Sequence, residues 1–187
     1  MALPSTIYRA GIELSDIDRS LYESLQVTVA QHPSETSERM VVRLLAYALC
    51  YEPGLSFTKG ISAADEPDLW LKGPDGRVLT WIEVGLPDPE RLAKACRHAG
   101  RVILFASGAA LPRWEGQHLA KLSGIGNLTV VGFDQEFVNR LTARLKRVVN
   151  WSMTITEGSL YLTVDGETLE TVPAHLSGPP LFRKPGY

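Results

Sequence analysis

Cysteine is scarce in this sequence, with two in 187 residues, which excludes a small fold stapled by several disulfides. Both, Cys50 and Cys96, stand in apolar helical patterns and read as buried thiols more simply than as a bridge. Long apolar runs are also missing. No stretch reaches the roughly 18 residues needed to cross a bilayer, and Met1-Ala2-Leu3-Pro4-Ser5-Thr6 lacks the charged-then-apolar order of a signal peptide. The expectation is a cytoplasmic protein with no membrane partner. An excess of one charge is absent too: 19 Lys and Arg against 21 Asp and Glu leave a net charge of −2. Binding to DNA or RNA would therefore need a local basic patch. The four histidines, His32, His98, His118 and His175, are scattered without the spacing of a zinc site. Gly124-Ile125-Gly126-Asn127 is a loop and falls short of a dinucleotide fingerprint. No nucleophile elbow occurs.

What is present is an ordinary globular mix, 44% hydrophobic and 21% charged, in a chain long enough for one sizeable core. Residues 6–14 and 20–31 are rich in β-branched and apolar residues around a polar turn, and predict an antiparallel pair. A helix is expected over about 34–51, capped by Ser34 and stopped by Tyr51-Glu52-Pro53-Gly54. A short strand near 56–60 leads to a hairpin with arms 67–72 and 78–85 around Gly73-Pro74-Asp75-Gly76. Asp88 and Pro89 open a second helix that Gly100 closes, and Val102-Ile103-Leu104-Phe105-Ala106 follows as a buried strand. Helices over 112–123 and 134–147 flank a strand over 128–133. Strands near 150–156, 159–164 and 168–172 follow, with Asp165-Gly166 as a turn. Strand–helix–strand units imply a partly parallel, mixed sheet flanked by helices, an α/β domain. Residues 1–176 read as one domain and 177–187 as an irregular, proline- and glycine-rich arm.

Three carboxylates stand where a carboxylate needs a reason. With the hairpin turn centred on Pro74-Asp75, Asp68 faces Trp81, and one face carries Asp68, Trp70, Leu79, Trp81 and Glu83. Asp68 and Glu83 become diagonal neighbours, and Glu83 interrupts the apolar run Trp81-Ile82-Glu83-Val84, where a lone charge is costly. Two adjacent carboxylates repel, and a hard divalent cation, Mg²⁺ or Mn²⁺, would compensate them. On the first long helix, Glu38 heads a stripe through Val41, Val42, Leu45 and Leu49, with Arg39 and Arg43 turned elsewhere. Each acid also has a plainer reading: a strand-entry residue for Asp68, an arginine partner such as Arg39 for Glu83, and a favourable helix dipole for Glu38.

The order helix, strand, hairpin, helix, strand resembles the PD-(D/E)XK nuclease core, and Pro67-Asp68 with Glu83-Val84-Gly85 resembles its short motif. Three longer segments are similar to the bacterial YaeQ family: His32-Pro33-Ser34-Glu35-Thr36-Ser37-Glu38-Arg39-Met40, Glu66-Pro67-Asp68-Leu69-Trp70 and Trp81-Ile82-Glu83-Val84-Gly85. The resemblance covers most of the chain. It implies a PD-(D/E)XK-like fold with no firmly assigned reaction, carrying an extra N-terminal hairpin and C-terminal strands. Where the nuclease motif has lysine two residues after the glutamate, this chain has Gly85. Lys94 and Arg91 on the following helix, and Lys59 before the hairpin, are candidate replacements, and each also reads as a solvated charge.

Two functions follow as expectations, beside a third reading in which the acids are a purely structural cluster that binds no divalent cation. One is a metal-dependent nuclease, with Asp68, Glu83 and Glu38 around Mg²⁺ or Mn²⁺ that would activate a water. The other is a non-catalytic module that binds nucleic acid or a protein partner on a degenerate nuclease fold. The densest positive stretch, Arg140, Arg144, Lys146 and Arg147, is either a phosphate contact or a solvated face. Trp70 and Trp81 beside the acids are either stacking platforms or core.

Overall fold

A computed structural model of the chain describes residues 4–59 and 65–181. Its apolar alternation builds two sheets with a helical layer between them. The N-terminal pair, β1 (Thr6–Asp16) and β2 (Leu21–Gln31), is antiparallel, with Tyr8, Ala10, Ile12 and Leu14 turned inward. The next helix, α1 (Ser37–Leu49), starts later than its sequence pattern predicts. Thr36, rather than Ser34, caps it by accepting from the Arg39 amide at 3.2 Å, and Ser34 bonds the His32 ring instead. Every residue of α1 from Met40 to Leu49 is buried. A helix apolar all round belongs in the interior, and α1 lies between the two sheets in one continuous core.

The strand β3 (Ser56–Phe57) pairs with β4 (Leu69–Lys72), and β4 with β5 (Val78–Val84). Helix α2 (Pro89–His98) is capped by Asp88, which accepts from the Glu90 amide at 2.8 Å. Gly100 does not end that helix as expected; it lies inside β6 (Ala99–Ala106), where a Cβ would stand 3.0 Å from the Leu79 carbonyl. The expected single helix after β6 is two short pieces, α3 (Leu111–Trp114) and α4 (Ala120–Leu122), joined by a π-helical stretch over Glu115–Leu119. Then come β7 (Leu128–Gly132), α5 (Gln135–Thr142), β8 (Val148–Thr156), β9 (Ser159–Val164), β10 (Glu167–Thr171) and β11 (Ala174–Ser177).

These strands form two sheets where the sequence pattern implied one. The first has the order β10-β9-β8-β1-β2 and the second β11-β7-β6-β5-β4-β3. In the second, β5, β6 and β7 run parallel, as strand–helix–strand connections require. In the first, β1 also runs parallel to β8, which periodicity alone did not foresee. α1 and α5 fill the space between the sheets, while α2, α3 and α4 cover the outer face of the second. Strand β11, which the sequence pattern did not predict, pairs with β7 and ends at Ser177, where the irregular arm was expected to begin, and Thr129 donates to the Pro179 carbonyl at 2.9 Å. Both cysteines are unpaired, Cys50 buried and Cys96 partly so. Among the described residues no helix is long and apolar enough to cross a membrane.

Candidate functional site

The acidic hairpin sits at the carboxyl end of β5, between the layer of α1 and that of α2. Its register differs by two residues from the sequence expectation. Trp70 pairs with Trp81 and Leu69 with Ile82, and the shift is taken up by an irregularity at Lys72 and Val78. A shift of two would keep Asp68 and Glu83 on one face, but the expected shared face is corrected. Asp68 stands just before β4 and turns to Arg39 and Arg43 of α1, whereas Glu83 turns with Trp81 to Arg91 of α2. The two remain close enough that the Asp68 charge is felt at the Glu83 carboxyl.

Asp68 is 1% exposed, and it faces cations. Its Oδ2 accepts from the Val84 amide at 2.8 Å and from Arg39 Nη2 at 2.8 Å. Its Oδ1 lies 2.7 Å from Arg39 Nη2 and 3.5 Å from Arg43 Nε, close enough for charge pairing at angles that make no hydrogen bond. Arg39 and Arg43 are in turn held by Glu35, each at 3.0 Å. The expectation that Arg39 and Arg43 turn away from the acids is corrected: Arg43 is 2% exposed and central. Glu35, Arg39 and Arg43 recur every four residues and so share one side of the chain as it enters and follows α1. That spacing was visible in the sequence. It was obscured by treating a helix buried on all sides as if it had one stripe.

Glu83, 3% exposed, belongs to the other layer. Its Oε1 accepts from Trp81 Nε1 and Arg91 Nε, both at 2.9 Å, and Arg91 Nη2 lies 2.8 Å away. Arg91 also donates to the Glu66 carbonyl at 2.7 Å, which fastens α2 to the segment that leads into β4. Burial raises the Glu83 pKa above its ordinary value; the Arg91 charge opposes this, and Asp68 adds to it. The two acids are neighbours, yet each is neutralised by a guanidinium from the opposite side of the sheet.

Glu38 does not join them. It is exposed and lines a cleft of about 370 Å³ with Thr36, Arg39, Gly85, Ser107 and Gln135. The stripe argument fails because α1 has no bare face to orient it. Of the three candidate cations, Arg91 reaches Glu83. Lys94 is exposed and lies 3.6 Å from Asp65, and Lys59 is exposed beyond the end of β3. Gly85 has φ +108°, a conformation that L side chains rarely adopt. A lysine there would be strained, so the departure from the nuclease motif is built into the backbone.

The residues do not fit a divalent cation as they stand. Among the described residues no group of three His, Cys, Asp or Glu gathers to hold one, and Asp68 Oδ2 and Glu83 Oε1 are spent on protein donors. The basic stretch is partly paired: Arg140 and Arg144 share Glu167, Lys146 holds Asp165 at 2.8 Å, and Arg147 is exposed. Trp81 packs in the outer core, and Lys72 Nζ sits 3.5 Å over the Trp70 ring.

Comparison with known proteins decides the family. The profile described as "YaeQ protein" matches residues 1–173. The chain belongs to the YaeQ family. It is 39% identical to the YaeQ protein of Escherichia coli (strain K12) over 171 residues, which is 91% of this chain and 94% of the relative. The Salmonella typhi protein is 40% identical over the same shares. The crystal structure of YaeQ from Pseudomonas syringae superposes with a TM-score of 0.91 at 42% identity, covering 95% of this chain and 99% of that one. The YaeQ structure from Xanthomonas axonopodis pv. citri gives 0.90 at 35% identity, covering 94% and 99%. The mixed α/β arrangement described above is therefore that of the YaeQ structures.

Proposed function

We propose that this YaeQ protein is a non-catalytic binding module on a PD-(D/E)XK-like core, with arginine–carboxylate pairs standing where a nuclease keeps its metal ligands. The element order α1, β3, β4–β5, α2, β6 supports the core assignment. The single observation that carries the functional reading is the neutralisation of both hairpin acids, Asp68 by Arg39 and Glu83 by Arg91. Freeing either carboxylate for a ligand would strand a buried or half-buried guanidinium, a costly exchange. Gly85, fixed by its backbone, adds to the case. Of the two partner classes, a protein is favoured over DNA or RNA, because the basic residues Arg140, Arg144 and Lys146 are already paired with Glu167 and Asp165.

The competing reading is a Mg²⁺- or Mn²⁺-dependent phosphodiesterase acting on DNA or RNA. It is favoured by the nearness of Asp68 to Glu83, and it requires both guanidiniums to leave their carboxylates. One set of measurements separates the two. Calorimetry with Mn²⁺ and a cleavage panel of single- and double-stranded DNA and RNA are expected to show neither tight binding nor hydrolysis. Asp68→Ala is expected to lower stability by about 3–5 kcal/mol in urea unfolding, the cost of opening a buried ion pair. Divalent-dependent cleavage that Asp68→Ala abolishes without such a loss would establish the enzyme instead.

A further inference from the structure

The opposite end of the parallel strands carries a feature that the acidic hairpin does not use. Thr80 on β5 and Arg101 on β6 are register partners, so their side chains stand side by side on one face of the second sheet. Both line a partly open cavity of about 150 Å³, bounded by the end of α1 at Leu49 and Cys50 and by Arg19 from the β1–β2 turn. Thr80 is buried and Arg101 half-buried. Neither has a hydrogen-bond or ion-pair partner among the described residues. Every other guanidinium there that is buried or half-buried, those of Arg19, Arg39, Arg43, Arg91 and Arg144, has a carboxylate. Arg101 is the exception, and a half-buried cation without a counter-charge is unfavourable.

We propose that this cavity binds a small oxyanion, a phosphate or carboxylate group, gripped by the Arg101 guanidinium with the Thr80 hydroxyl as a second donor. A planar guanidinium matches the paired oxygens of either group. The nearby acids do not satisfy Arg101. Asp18 spends both oxygens on the Glu157 and Gly158 amides, at 2.7 and 2.9 Å, and Arg19 is held by Asp16 and the Tyr51 carbonyl. The size limits the ligand: drug-sized molecules occupy pockets of roughly 300–1,000 Å³, so this one takes a single oxyanion group or a short acid, and a nucleotide is too large. Glu52 at the rim opposes a polyanion. Cys50 forms a wall without acting as a nucleophile, since burial pushes its pKa to about 12 despite the charges of Arg101 and Arg19.

The test uses the full chain with inorganic phosphate and, separately, acetate, each against chloride at matched ionic strength. Calorimetry and thermal unfolding are expected to show saturable binding of at least one anion. Arg101→Met abolishes it, Thr80→Val weakens it by about tenfold, and the control Arg113→Met on the exposed surface of α3 leaves it intact. Phosphate alone would mark a phosphoryl ligand and acetate alone a carboxylate. In anion-free buffer Arg101→Met is expected to unfold no earlier than the natural chain, because that guanidinium has no partner to lose. Absence of binding to both anions, unchanged binding by Arg101→Met, or a marked loss of its anion-free stability would each overturn the assignment.

Discussion

Glu83 shows how one residue can be read correctly for its cost and wrongly for its remedy. A carboxylate inside Trp81-Ile82-Glu83-Val84 demands compensation, and the sequence makes that demand plain. The compensation is Arg91 and the Trp81 indole, held in place by tertiary packing. Because burial raises the Glu83 pKa, the folded state favours its protonated form. Its stabilising contribution is therefore complete below the ordinary value of 4.5 and is lost as pH rises through the folded-state pKa. Glu83→Gln cannot titrate. Urea unfolding across that range is expected to show the natural chain losing stability relative to Glu83→Gln as pH rises, whereas a difference independent of pH would contradict the assignment. Asp68 carries the same lesson: its exposure of 1% makes it a structural tie between α1 and the hairpin, which could not be judged from its place after Pro67.

At the scale of elements, local chemistry was a good guide to what forms and a poorer guide to where it stops. The turn Asp165-Gly166 was readable because both residues adopt positive φ there, +50° and +79°, as a two-residue hairpin turn demands. The start of α1 slipped because several capping residues compete in His32 to Ser37, and the hydrogen bond between the Ser34 hydroxyl and the His32 ring removes one of them. Strand β11 went unread because its pairing lies with β7, far away in the chain. Gly178, just after β11, has φ +82°, and a Cβ there would fall 1.7 Å from the Leu128 carbonyl oxygen. Gly178→Ala must therefore lift the end of β11 from β7. Hydrogen exchange is expected to rise by about tenfold or more in Ala174–Ser177 while α1 keeps its protection.

For the molecule as a whole, the decisive contact is the parallel pairing of β1 with β8, which unites the two ends of the chain in one sheet. That sheet supplies Met153, Ile155, Leu160 and Leu162 to the core around α1. Removing residues 148–187 would bare one edge of β1 and uncover α1. The truncated chain is expected to lose its cooperative thermal transition and to bind a hydrophobic dye, and the full chain is expected to unfold in one step by calorimetry. What this sequence determined by itself is its mixed α/β character, the identity and order of most elements, the cost of burying Glu83 within an apolar run, and the near-balance of positive and negative charge. Those are properties of periodicity, turn chemistry and composition, which act over a few residues. Only the tertiary structure decided that there are two sheets, that α1 is buried on every side, and that arginines neutralise the acids. Partners brought together across 29 residues, as Arg39 and Asp68 are, leave no trace in local spacing, because chain folding in three dimensions sets which charge meets which.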